Sequence, residues 1–277
     1  MTQITFIGAG NMARSLIAGL CLEEGGPQIT VSDPDEVQLD VIRGNWPGCA
    51  TSTDNISAVA NADVIVLAVK PQIMQRVCEG LAGHLPEKRP LIVSVAAGFS
   101  ESGMTRGLGG GLPVVRCMPN TPALVQAGMT GLYANAKVTD EQCDLAESML
   151  RTVSMTLWFE DEEKLHAVTA VSGSGPAYFF LMMEAMQASA ENLGLDTGDA
   201  RLLVLQTALG AAKLALESPD SPAELRRKVT SKGGTTEAAI AQFQGAGMEA
   251  IVDKALHAAA QRSEVLSGAR PTIENKG

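Results

Sequence analysis

Short apolar runs and helical stripes alternate along the first half of the chain. The runs at 4–7, 29–31, 64–69, 91–95 and 114–117 are rich in Val and Ile. Continuous runs of this kind mark strands covered on both faces. Residues 129–134 and 155–159 give two more. Between the runs, apolar residues recur at helical spacing over 12–22, 36–43, 73–81 and 141–154. The series predicts a doubly wound, mostly parallel α/β sheet. After about Asp161 the strand signals stop, and Ala-, Leu- and Met-rich helical patterns run almost to the end. They are divided by turn signals such as Gly194-Leu-Asp196 and Ser218-Pro219-Asp220-Ser221-Pro222. The expectation is two domains, 1–160 and 161–277, the second all-helical. Residues 176–190 are apolar on nearly every face, with Phe179, Phe180, Leu181 and Met182 in succession. Such a helix has to be covered on all sides. A small helical domain has few means to do this alone, so dimerisation through it is expected. Residues 271–277 read as a frayed tail.

The first strand breaks at a glycine turn, Gly8-Ala9-Gly10-Asn11-Met12-Ala13, and a helix follows at once. This strand-turn-helix setting makes the G-x-G-x-x-A pattern a dinucleotide signature and the sheet Rossmann-like. Gly8 permits the tight turn, Gly10 admits a pyrophosphate to the backbone, and Ala13 lets the helix sit against the strand. The N–H groups of the helix start then face the anion.

The second strand runs into Ser32-Asp33-Pro34, about where an acid meets the adenosine ribose. Asp33 repels a 2′-phosphate, whereas Ser32 can donate to one, so the choice between NADH and NADPH stays open; Asp33 also fits a plain turn before Pro34. Ala68-Val69-Lys70-Pro71 closes a third strand, with Lys70 placed for cofactor ribose or phosphate, or simply solvated. Ala97 lies in a run of small residues that would admit a flat ring. Asn120, between Pro119 and Pro122, is stiffly held and suited to orient a ligand, unless the prolines only set a loop.

The helical half carries Ser172-Gly-Ser174-Gly-Pro176 and Ser231-Lys232-Gly233-Gly234-Thr235-Thr236. The second leads into a helical pattern at 238–243, with Thr235 or Thr236 available as its cap and free N–H groups for a carboxylate.

Composition narrows the choices. Apolar residues form 45% of the 277 and aromatics only 4%, so small and aliphatic side chains do the packing. The net charge of −10 and the lack of any basic block argue against nucleic acid and anionic membrane as partners. No apolar run reaches the roughly 18 residues of a membrane span. Five scattered cysteines without a C-x-x-C suggest reduced thiols and no metal site. With no leader before the first strand, a cytoplasmic setting is expected. The three histidines, His84, His166 and His257, fit no metal or triad motif and are expected at the surface.

Taken in order, Gly8-Ala-Gly10-Asn-Met-Ala13, Ala68-Val-Lys-Pro71, Arg116-Cys-Met-Pro-Asn-Thr-Pro122, Ser172-Gly-Ser-Gly-Pro-Ala-Tyr178 and Ser231-Lys-Gly-Gly-Thr-Thr236 resemble the pyrroline-5-carboxylate reductases along nearly the whole chain. The family pattern has Pro at the position of Lys232. The resemblance implies reduction of 1-pyrroline-5-carboxylate to L-proline with NADPH or NADH. It implies a helical domain that dimerises by intertwining, often within a larger ring. It also implies cofactor contacts at Gly8, Ala9, Gly10, Asn11, Met12, Ser32, Asp33, Asn55, Ala68, Val69, Lys70, Pro71 and Ala97. Substrate contacts are implied at Asn120, Ser174, Ser231, Gly234, Thr235 and Thr236, with Thr236 beside the ring nitrogen. Two rivals remain at this stage. A 3-hydroxyacid dehydrogenase needs a lysine on the long helix of the second domain, but no Lys stands between Lys164 and Lys213. A non-catalytic dinucleotide sensor is disfavoured only by the intact glycine-threonine loop.

Overall fold

The computed structural model describes residues 1–22 and 25–268; the frayed tail expected at 271–277 lies outside them. The elements in chain order are β1 (Gln3–Ile7), α1 (Asn11–Leu20), β2 (Gln28–Ser32), α2 (Glu36–Asn45), β3 (Ala50–Ser52), α3 (Asn55–Val59), β4 (Val64–Leu67), α4 (Pro71–Leu81), β5 (Leu91–Ser94), α5 (Glu101–Gly107), β6 (Val114–Met118), β7 (Gly128–Ala134), α6 (Asp140–Arg151), β8 (Ser154–Trp158), α7 (Lys164–Val168), α8 (Gly175–Asn192), α9 (Thr197–Glu217), α10 (Pro222–Lys228), α11 (Thr235–Gly245) and α12 (Met248–Ser267). A 3-10 turn, Thr121–Val125, precedes β7, and a π-helical turn, Thr169–Gly173, precedes α8.

The strands form one sheet in the order β3-β2-β1-β4-β5-β6-β7-β8. Every pairing is parallel except β6 with β7. The apolar runs are continuous because the sheet has a core on each face. Ile4, Phe6, Val64, Val66, Leu91 and Val93 join one cluster with α1, α2 and α6. Their alternates Ile7, Ile65, Leu67 and Ile92 join the other with α4 and α5. The period-2 alternation of a strand thus sends apolar side chains both ways.

Two sequence boundaries move. The helix expected over 141–154 ends at Arg151, because Ser154 pairs with Gly128 and opens β8. β3 is a three-residue Ala-Thr-Ser strand with no apolar pattern; it exists through its pairing with Thr30–Ser32 of β2.

The chain divides into two compact units. One is Met1–Ser174 together with the stretch that begins at Ala258; the other is Gly175–His257. The cut falls later than the boundary expected at 160/161, since α7 packs on β7 and its His166 bonds to Ser263 of α12. His166 is therefore buried, contrary to the surface position expected for it, while His84 and His257 are exposed.

In the second unit α8 packs on α9, yet these helices bury very little. Phe179, Phe180 and Leu181 on α8 are 68%, 61% and 67% exposed. No helix among the described residues is long and apolar enough to cross a membrane.

Candidate functional site

The strand order reverses between β1 and β4, and crevices in such sheets open at the carboxyl ends of the strands around that point. A cleft of about 730 Å³ lies there. Gly8, Gly10, Ser32, Asp33, Asn55, Ala68, Val69 and Lys70, all expected from sequence, line it.

Gly8 sits at φ +103°, and a Cβ there would fall 2.6 Å from the Ala68 carbonyl oxygen. Only glycine fits so close to the end of β4. The turn is pinned by hydrogen bonds from Gly8 N–H to the Ser32 carbonyl (2.7 Å) and from Ala68 N–H to the Ile7 carbonyl (2.9 Å). Gly10 is the N-cap of α1 and supplies no side-chain cap, so the first N–H groups of this helix have no intrahelical acceptor and suit an anion. Asn11, the first helical residue, is exposed.

Several of the residues expected at the cofactor brace the loop. Ala9 is fully buried, and its N–H donates to Asp33 Oδ2 at 2.9 Å. The bond ties the glycine loop to the end of β2. Asp33 Oδ1 accepts from Asp35 N–H at 2.9 Å, so the turn before Pro34 is real as well. The Ser32 hydroxyl is buried and donates to Asn55 Oδ1 at 2.7 Å. That bond occupies the hydroxyl proton and leaves the Asn55 amide nitrogen free of it. Met12 packs against the core, and Pro71 occupies the first turn of α4, pre-set by its fixed φ. Neither these two nor Ala97 lines the cleft.

Sequence reading missed Arg76, which shares the cleft wall with Lys70. A readable signal was present. Ile73, Arg76, Val77 and Gly80 fall at i, i+3, i+4 and i+7, one face of α4, and all four line the cleft. Gln38 is a second missed wall residue; its Oε1 accepts from Arg14 Nη2 at 2.6 Å. Asp54, at the rim, caps α3 by accepting from Ser57 N–H and Ile56 N–H, and these bonds hold its carboxyl below the usual range.

Asn120 is committed at both ends of its amide. Nδ2 donates to the Ser172 carbonyl at 3.0 Å, and Oδ1 accepts from Met129 N–H at 2.8 Å. It ties β7 to the π-helical turn before α8. Ser174 closes that turn, its N–H donating to the Thr169 carbonyl at 2.8 Å.

In the second unit, Gly234 is the N-cap of α11, and Thr235 and Thr236 are its first two residues, so neither threonine is the cap. Gly234 N–H donates to the Ser231 carbonyl at 3.0 Å. Gly233 N–H donates to Glu237 Oε2 at 2.7 Å. The acceptor-free amides of this loop are thus those of the first helical turn, at Thr235 and Thr236, and not Gly233.

A family model described as "Pyrroline-5-carboxylate reductase dimerisation" matches residues 162–266, and one described as "NADP oxidoreductase coenzyme F420-dependent" matches 3–98. The pyrroline-5-carboxylate reductase of Pseudomonas aeruginosa is 55% identical over 267 residues, covering 96% of this chain and 97% of its own. A solved pyrroline-5-carboxylate reductase of Coxiella burnetii superposes with a TM-score of 0.90 at 45% identity, covering 96% of this chain and 98% of that one. The Plasmodium falciparum pyrroline carboxylate reductase, solved with NADP bound, shares the fold with a TM-score of 0.84 at 23% identity, covering 96% and 98%.

Proposed function

The chain belongs to the pyrroline-5-carboxylate reductase family, and on that premise we propose which of its residues carry the family's reaction. It reduces 1-pyrroline-5-carboxylate to L-proline at the expense of NAD(P)H, the last step of proline biosynthesis. The chain acts on a small molecule as an oligomer. When bound, the nicotinamide supplies the hydride.

The cofactor is assigned to the cleft at the strand ends. The cradle at Gly8 and the unfilled amides of α1 suit a pyrophosphate, with Asn55, Asp33 and Gln38 toward the adenosine ribose and Lys70 and Arg76 as the cations of the opposite wall. Two cations, Lys70 and Arg76, stand among three acids, Asp33, Asp35 and Asp54, and this mixed lining leaves both cofactors admissible.

The substrate carboxylate is assigned to the first-turn amides of α11, at Thr235 and Thr236, with Ser231 and Gly234 shaping the loop. Lys232, exposed beside this loop, adds an attractive charge for an anion. The Thr236 hydroxyl donates a hydrogen bond to the ring nitrogen. A neutral hydroxyl is too weak an acid to give up its proton there, so it positions the imine and polarises it, and water supplies the proton. Most of the acceleration then comes from orientation, for which roughly 7–11 kcal/mol is accessible.

The observation that carries this assignment is the acceptor-free start of α11 behind a Gly-Gly turn. Thr236→Ala lowers kcat/KM for the cyclic imine about tenfold or more, the worth of one hydrogen bond to a charged or polarised partner. Thr236→Ser restores most of it. Steady-state NAD(P)H oxidation measures both, and parental kinetics in the alanine variant would remove Thr236 from the site.

Residues 161–277 act as the dimerisation domain, the dimers close into a ring, and the enzyme works in the cytoplasm without nucleic-acid or membrane partners. The acidic balance and the exposed apolar helix α8 support this.

A further inference from the structure

All five cysteines are free thiols. Cys78 and Cys117 are sealed in the two faces of the sheet, and Cys143 lies by itself on α6. Cys21 and Cys49 are different. Cys21 follows the last turn of α1 and is exposed. Cys49 directly precedes β3, in a turn where its N–H donates to the Trp46 carbonyl at 3.0 Å, and is partly buried against the core. Both line one cleft of about 360 Å³ with Leu20, Trp46 and Pro27, and burial together with the neighbouring Cys21 raises the Cys49 thiol. The cleft borders the start of β2, whereas the cofactor cleft borders its end at Ser32 and Asp33. Two thiols from positions 28 residues apart thus open onto one cleft, one of them accessible and the other held in a turn.

We propose that Cys21 and Cys49 form a redox-active pair that a peroxide converts into a reversible intramolecular disulfide. The exposed Cys21 thiolate attacks the peroxide. A sulfur–oxygen bond forms, the oxygen–oxygen bond breaks, and one water leaves once the released oxygen is protonated, with Cys21 now a sulfenic acid. Cys49 sulfur then attacks Cys21 sulfur, the sulfur–sulfur bond forms, and the oxygen departs as a second water. Two thiols have lost two electrons and two protons, and one peroxide has become two waters. A dithiol reductant reverses the bond by exchange. The order of attack follows from exposure. Cys21 is open to peroxide and Cys49 is partly buried, so Cys21 is the first to react and Cys49 resolves it.

The cross-link encloses β2 and α2 and joins the end of α1 to the start of the edge strand β3. It restricts the unfolded chain and leaves the cofactor cleft untouched. The test uses the full-length enzyme treated with hydrogen peroxide, alkylated with iodoacetamide and mapped without reduction. A peptide pair joining Cys21 to Cys49 is expected, lost on dithiothreitol treatment. Peroxide is expected to raise the thermal midpoint by several degrees, reversibly. Cys21→Ser and Cys49→Ser each abolish both effects, and Cys143→Ser abolishes neither. Three results would overturn the pair: Cys21 passing to sulfinic acid with Cys49 still alkylated, a Cys21–Cys21 link between chains, or both thiols fully alkylated after peroxide.

Discussion

Asp33 shows how one side chain serves two masters. Its carboxylate accepts the buried Ala9 N–H and lines the cleft where a ribose would sit. The two roles separate by substitution. Asp33→Ala leaves a buried N–H without an acceptor, a loss of about 1–3 kcal/mol, and lowers the thermal midpoint. Asp33→Asn keeps an oxygen for Ala9 but removes the charge. The thermal midpoint then stays near the parent, while the ratio of kcat/KM for NADPH over NADH rises, because a 2′-phosphate no longer meets a carboxylate. An unchanged ratio in the asparagine variant means that the carboxylate serves the loop alone. The glycine signature was legible in the sequence, as was the acid at the end of β2. The partner of Asp33 was not, since nothing in residues 8–13 says which amide will face a side chain 24 positions on.

Between elements, close approach sets the tolerances. Gly19 on α1 faces the turn between α6 and β8, and a Cβ there would lie 2.4 Å from Thr152 Oγ1 and 2.9 Å from Val153 Cγ1. Gly19→Ala improves helix propensity but overpacks this contact. A net destabilisation of about 1–3 kcal/mol is expected from urea unfolding midpoints. Charge ties elements too. Asp63, just before β4, accepts from Lys88 Nζ (2.6 Å) and from Gln3 N–H of β1 (2.8 Å), and these hold its carboxyl below the usual range. A depressed folded value means stability present at neutral pH and lost as pH falls through that value. The pair is half-exposed, so the worth is under about 1 kcal/mol. Asp63→Asn is therefore slightly less stable than the parent at pH 7, and the gap closes in strong acid; a gap that widens toward acid would contradict this sign. Helices α3 and α5 were illegible beforehand because they are too short to show a period. Their Asp54 and Ser100 caps are the only local signal they carry.

At the scale of the whole molecule, the two units differ in self-sufficiency. The sheet unit closes two cores around its strands. In the helical unit, α8 buries only Gly175 and α9 only Ala200 and Val204. Phe180, 61% exposed on α8, belongs to an apolar surface that a monomer would present to water. Phe180→Glu places a charge on this apolar face of α8. Light scattering is expected to show dissociation toward monomer, with loss of reductase activity, while the circular dichroism of the helices persists. An oligomer of parental mass would mean that this face of α8 lies outside the interface.

The sequence by itself determined the alternation of strand and helix, the glycine turn at Gly8 and the unpartnered apolar helix, because each is written in local residue chemistry or in a period of two or 3.6. Tertiary structure decided the rest. Pairing alone makes a strand of Ala50–Ser52. Long-range hydrogen bonds give Ala9, Ser32 and Asn120 partners within the protein and bury His166 against Ser263. Whether a polar group faces a ligand or its own protein depends on what the fold brings within 3 Å of it, and no local pattern encodes that neighbour.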